Sequence, residues 1–161
     1  MTFKNEKRIP PVIRTVVADR SVARFFSATW PGADDWKEVL TLLYEEGAAH
    51  PRDVTTDGPG TFAERFGGHH AGEDETDFRH QSAERFASEL VSVLETARSE
   101  NEFGKLVLVA PPLFLGVLRK KIPTPLQQML ILELNKDYTA AKLDKVAKQV
   151  QAKLKSNQPR P

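Results

Sequence analysis

The chain has 161 residues, 40% apolar, 28% charged and 8% aromatic, with no cysteine and a formal net charge of +1. This is the profile of a single globular domain, residues 1–161 with a core over about 12–155, large enough to bury one continuous core without staples. The missing cysteines exclude thiol catalysis, a cysteine-built zinc site and a disulfide scaffold, and they fit a reducing, cytoplasmic setting.

In chain order, Val12 to Ala18 and Ser21 to Thr29 are β-branched runs separated by Asp19 and Arg20, which predicts a hairpin. After the Trp30-Pro31-Gly32 break, residues 36–44 have the length and apolar content of a third strand. Residues 50–79 hold no sustained period and are expected to be irregular, apart from a helical turn over 61–66 with Thr61 and Glu64 at capping-box spacing. From His80 the pattern changes. Ala83, Phe86, Ala87, Leu90, Val91, Leu94 and Ala97 recur at three- and four-residue steps, predicting an amphipathic helix that stops near Asn101.

Residues 106–110 form an apolar run without alternation, as expected of an interior parallel strand covered on both faces. Pro111 and Pro112 suit the first turn of a helix through Lys121, which Pro123 and Pro125 end or interrupt. Residues 129–134 predict a fifth strand, residues 139–155 a final helix, and residues 156–161 a frayed tail. The order β-β-β-α-β-α-β-α describes an α/β fold: a mixed five-stranded sheet of ribonuclease H-like type, with an antiparallel meander, two parallel strands and helices on its faces. The apolar stretch 106–118 is broken by prolines and the N-terminal segment lacks a signal-peptide apolar run, so no membrane insertion is expected.

Charge is unevenly spread. Residues 32–77 carry twelve acids against three Lys/Arg, whereas residues 105–161 carry eleven Lys/Arg against three acids. The basic end suits an anionic partner such as RNA, and solvated faces account for the same counts. A two-metal nuclease needs carboxylates converging from several elements; Asp19, Glu84 and Glu89 are available, but residues 106–110 supply none. His69, His70 and His80, with Glu73, Asp74, Glu75 and Asp77 between them, are the candidate metal ligands, without HExxH or any other ligand spacing. The serines lack a GxSxG elbow and Gly67-Gly68 lacks the GK[ST] ending of a phosphate loop. No cofactor is expected.

The stretches VVADRSVARFF (16–26), HPRDVTTDGPG (50–60), AERFASELVSVLETAR (83–98), FGKLVLVAPPLFLGVLRK (103–120) and LELNKDYT (132–139) together resemble the bacterial proteins required for attachment to host cells, which are similar to the middle domain of archaeal and eukaryotic class 1 release factors. The resemblance spans about residues 12–155 and implies the same ribonuclease H-like fold. In release factors a Gly-Gly-Gln tripeptide precedes a helix beginning Ser-Ala-x-Arg-Phe. Here Gln81-Ser82-Ala83-Glu84-Arg85-Phe86 matches the glutamine and the helix start, while Arg79 and His80 occupy the glycine positions.

Bulky residues at glycine positions restrict the backbone, so the resemblance implies a module without release activity, Gln81 and His80 being its candidate catalytic residues. Arg79, His80, Gln81, Ser82 and Arg85 are its candidate binding residues, with Lys105, Arg119, Lys120 and Lys121 as a phosphate-facing set. The leading reading is a cytoplasmic RNA- or ribosome-associated module with the segment before His80 as its tip. An interaction protein that influences attachment through a protein partner, and a loop-histidine hydrolase acting on an RNA ester, are the alternatives.

Overall fold

Val12–Ala18 (β1) and Val22–Thr29 (β2) pair antiparallel, Val12 opposite Thr29 and Ala18 opposite Ala23. This computed structural model describes residues 9–32, 34–48 and 70–157. The hairpin turn is closed by Asp19, whose Oδ1 accepts from the Ser21 and Val22 amides (2.8 and 2.9 Å) and from Ser21 Oγ (2.9 Å). A short carboxylate that can accept amides two and three residues on favours such a turn over a continuing strand. Lys37–Leu43 (β3) pairs antiparallel with β2, with a register shift between Phe25 and Phe26.

After the four-residue α1, Glu45–Ala48, the next described element is α2, His70–Ser99. It ends in a Schellman arrangement: Asn101 has φ 58°, its amide bonds the Arg98 carbonyl (3.0 Å) and the Glu102 amide bonds the Ala97 carbonyl (3.0 Å). Asparagine is among the few non-glycine residues that enter the left-handed region readily.

Lys105–Ala110 (β4) then runs parallel to β1, and Leu130–Asn135 (β5) runs parallel to β4, giving the order β3-β2-β1-β4-β5. Between them lie α3, Pro112–Lys121, and α4, Thr124–Met129; α5, Leu143–Ser156, closes the fold. This is the expected mixed five-stranded α/β sheet.

Its two faces bury different helices. On one face Phe25, Leu106 and Leu108 meet Phe86, Leu90 and Leu94 of α2, Leu115 and Leu118 of α3, and Leu126 of α4. On the other, Ile13, Val17, Phe26, Val107 and Val109 meet Val146, Val150 and Leu154 of α5. β4 therefore sends alternate residues into both cores, which is why its sequence is apolar without alternation.

Three expectations are corrected. Residues 70–79 are helical rather than irregular, so α2 begins ten residues before the predicted start at His80. Residues 139–142 precede the last helix instead of opening it: the Asp137 carboxylate accepts from the Thr139 amide and hydroxyl (3.1 and 2.7 Å), a local turn that competes with helix. α4 is an additional helix, because Pro125 falls in its first turn and starts it just as Pro112 starts α3. The irregular stretch over 50–69, the helical turn over 61–66 and the tail end at 158–161 lie outside the described residues.

Candidate functional site

α2 is too long for the sheet it covers. Thirty helical residues extend about 45 Å, whereas strands of six to eight residues extend about 20–27 Å. Its last turn is tied to the start of β4 through 100–104, so the excess falls at its N-terminal end. Buried α2 side chains among those described begin at Ser82, and Arg79, His80 and Gln81 are exposed.

Arg79, His80 and Gln81 are consequently the tenth to twelfth residues of a helix, not a turn before one. Their backbone amides and carbonyls belong to the helical ladder, so the backbone does not present a free amide or carbonyl to a substrate as a glycine-built tip does. His80 Nε2 stands 3.2 Å from Glu84 Oε1, one turn on, and Arg79 lies 4.0 Å from Glu75. His69 is outside the described residues, and the helix sets His70 and His80 about 15 Å apart along its axis, too far for one ion.

The sequence-derived candidates divide in space. Gln81, Arg85 and Lys121 come together, lining a shallow cleft of about 220 Å³ with Glu84 and Ser88. Arg85 is held there by an ion pair to Glu46. Glu46 also accepts from the Tyr44 hydroxyl (2.8 Å), and the Tyr44 ring stacks on Phe86 at 5.0 Å. Burial, then the Glu46 carboxylate, pushes the Tyr44 phenol above its ordinary range. Ser82 is 1% exposed and its hydroxyl has no hydrogen-bond partner among the described residues. Lys105 opens β4, away from this cleft. Arg119 donates to Glu133 of β5 (2.7 Å), which raises its guanidinium pKa, and Lys120 is exposed outside the cleft.

A second arrangement was not singled out from the sequence. The C-terminal ends of β1 and β5 carry Asp19 and the segment 136–142. Asp19 Oδ2 accepts from the Thr139 hydroxyl (3.3 Å), and Arg24 donates to the backbone carbonyls of Thr139 (3.1 Å) and Ala141. Arg24 is itself oriented by two bonds to Glu38 (3.0 and 3.1 Å) and by the Phe26 ring beneath it. Asp19 is thus used in a turn and a tether, and not as a free metal-facing carboxylate.

The tether fixes the entry to α5. With Val146, Val150 and Leu154 facing the sheet, a 100° step per residue places Lys145, Lys148 and Lys155 on the outward arc beside Asp144, while Lys153 and the N-cap Lys142 flank the buried stripe. All five are exposed, Asp144 is the single acid in the helix, and none of the five has an ion-pair partner among the described residues. Lys145 Nζ lies 5.7 Å from the centre of the half-buried Tyr138 ring, and Lys136 is exposed nearby in the same segment. The signal for this face is present in the spacing of Lys145, Lys148 and Lys155, which a charge count over the basic end does not separate from its neighbours.

No helix among the described residues is long and apolar enough to cross a membrane. Among solved structures, an archaeal translation termination factor is similar at 11% identity with a TM-score of 0.47, over 91% of this chain and 37% of its own. This chain thus spans little more than a third of that protein. No curated protein matches. The family model for proteins required for attachment to host cells matches residues 15–150, from within β1 to within α5, and the chain belongs to that family.

Proposed function

We propose that this member of the host-attachment family is a non-catalytic RNA-associated module that holds a phosphate backbone on the outward face of α5. The observation that carries the reading is that face: the exposed Lys145, Lys148 and Lys155, without ion-pair partners among the described residues, on a helix with a single acid. Lysines left unpaired on one face are free to displace counterions from a polyanion, whatever its base sequence. Tyr138 beside Lys145 adds a ring on which an unpaired base can stack. The ribosome is a natural source of such RNA, and an RNA-level role makes a requirement in attachment to host cells an indirect one.

The helical backbone at 79–81 supports the non-catalytic part, since a water-placing backbone tip is missing there. The test is titration of fluorescent single-stranded RNA with the full chain at several salt concentrations, beside Lys145→Gln/Lys148→Gln/Lys155→Gln. The triple variant should bind more weakly with a shallower salt dependence, while Gln81→Ala should bind as wild type does.

A further inference from the structure

Between β3 and the C-terminal half of α2 lies a groove of about 480 Å³, on the sheet face opposite α5. β3 is the edge strand, and its Val39 and Leu40 remain 41% and 40% exposed. They form one apolar wall; Val93, Ala97 and the side chain of Thr96 form the other. Arg14 of β1 and Glu102 complete the lining.

Arg14 is the unusual member. Its side chain is 12% exposed, its Nε is buried without a hydrogen-bond partner among the described residues, and its guanidinium lies 5.4 Å from the centre of the buried Phe103 ring, which holds it in place. The nearest carboxylate, Glu102, stands 4.0 Å away and is 47% exposed, at the limit of an ion pair. Burial pushes the guanidinium below its usual pKa, and Glu102 offsets this only in part. A cation withdrawn from water with so loose a counterion is costly unless another anion completes it.

We infer that this groove binds an amphipathic monocarboxylate, its carboxylate on the Arg14 guanidinium and its linear apolar tail along Leu40, Val39 and Val93. The volume falls in the range of small-ligand pockets, which pair a mostly apolar lining with a few placed polar groups. A planar guanidinium matches a carboxylate's two oxygens. A single negative charge suits the Arg14 guanidinium better than a dianion, because Glu102 already stands beside it. This inference concerns another face of the molecule and is independent of RNA binding.

The test uses decanoate as probe and decan-1-ol as the uncharged control, both below micelle formation, with the full chain followed by calorimetry and amide chemical shifts. Saturable decanoate binding that perturbs residues 39–40 and 92–97 is expected, with decan-1-ol weaker. Arg14→Met should weaken decanoate about tenfold or more, the scale of a lost charged hydrogen bond, and leave decan-1-ol unchanged. Glu102→Gln, removing the competing carboxylate, should tighten decanoate severalfold, and Ser92→Phe, which fills the groove from the exposed side of α2, should weaken both probes. The last two are surface changes and decide the matter even if Arg14→Met does not fold. Absence of saturable decanoate binding, equal affinity for the two probes, or indifference to both Glu102→Gln and Ser92→Phe would overturn the inference.

Discussion

The Arg24–Glu38 pair shows how one residue joins distant parts of the chain. Arg24 anchors the segment before α5 by two carbonyls, and the two oxygens of Glu38 hold it in that pose. The hydrogen bond from Arg24, more than any other cause, holds the Glu38 carboxyl below its usual range. A carboxyl whose pKa is lowered by folding contributes its full stability above its unfolded pKa of about 4.3 and loses it as pH falls through the folded value. Glu38→Gln should therefore cost about 0.5–1 kcal/mol at pH 7, the range of a partly exposed pair, and the deficit should shrink as pH falls below about 4. Denaturant melts at pH 7 and pH 3 read this directly; a deficit that grew in acid would contradict it. Gly47 is a second decisive position: a Cβ there would come within 1.8 Å of the Arg20 carbonyl oxygen. Since that neighbour is backbone, Gly47→Ala should destabilise by about 1–3 kcal/mol, and an unchanged melting temperature would show that α1 does not pack on the β1–β2 turn.

Among the elements, β4 lies between β1 and β5 and is covered on both faces. Leu108, fully buried beneath α2, should cost about 2–5 kcal/mol when changed to Ala, measured by urea unfolding. A loss below about 0.5 kcal/mol would remove it from the core. α2 divides at Ser82, with the described side chains before it partly or fully exposed and those after it supplying most of one core. Amides of residues 86–97 should accordingly exchange with deuterium more slowly than those of residues 76–81; equal protection would contradict the division. The same division explains what was legible in the sequence. Periodicity is a record of burial, so it marked Ala83 to Ala97, the run of β4 and the stripe of α5. Residues 75–81 bury little and left no apolar stripe. Charge counts pointed to the basic end of the chain but did not distinguish Arg119, spent on Glu133, from the lysines of α5. Nor did spacing bring Arg14 to Glu102, or Asp19 to Thr139, since those contacts depend on sheet order.

At the scale of the whole molecule, the sheet separates two surfaces. One carries α2 with the Gln81–Arg85–Lys121 cleft and the Arg14 groove, and the other carries the lysines of α5. The central claim, that the α5 face holds RNA, is tested most directly by the slope of log affinity against log salt for single-stranded RNA. Lys145→Gln/Lys148→Gln/Lys155→Gln should lower that slope by about two units, given about 0.7 per neutralised phosphate on single strands, whereas Lys120→Gln/Lys121→Gln should change it by less. A slope unchanged in the triple variant, or RNA binding absent from the wild-type chain, would contradict the account.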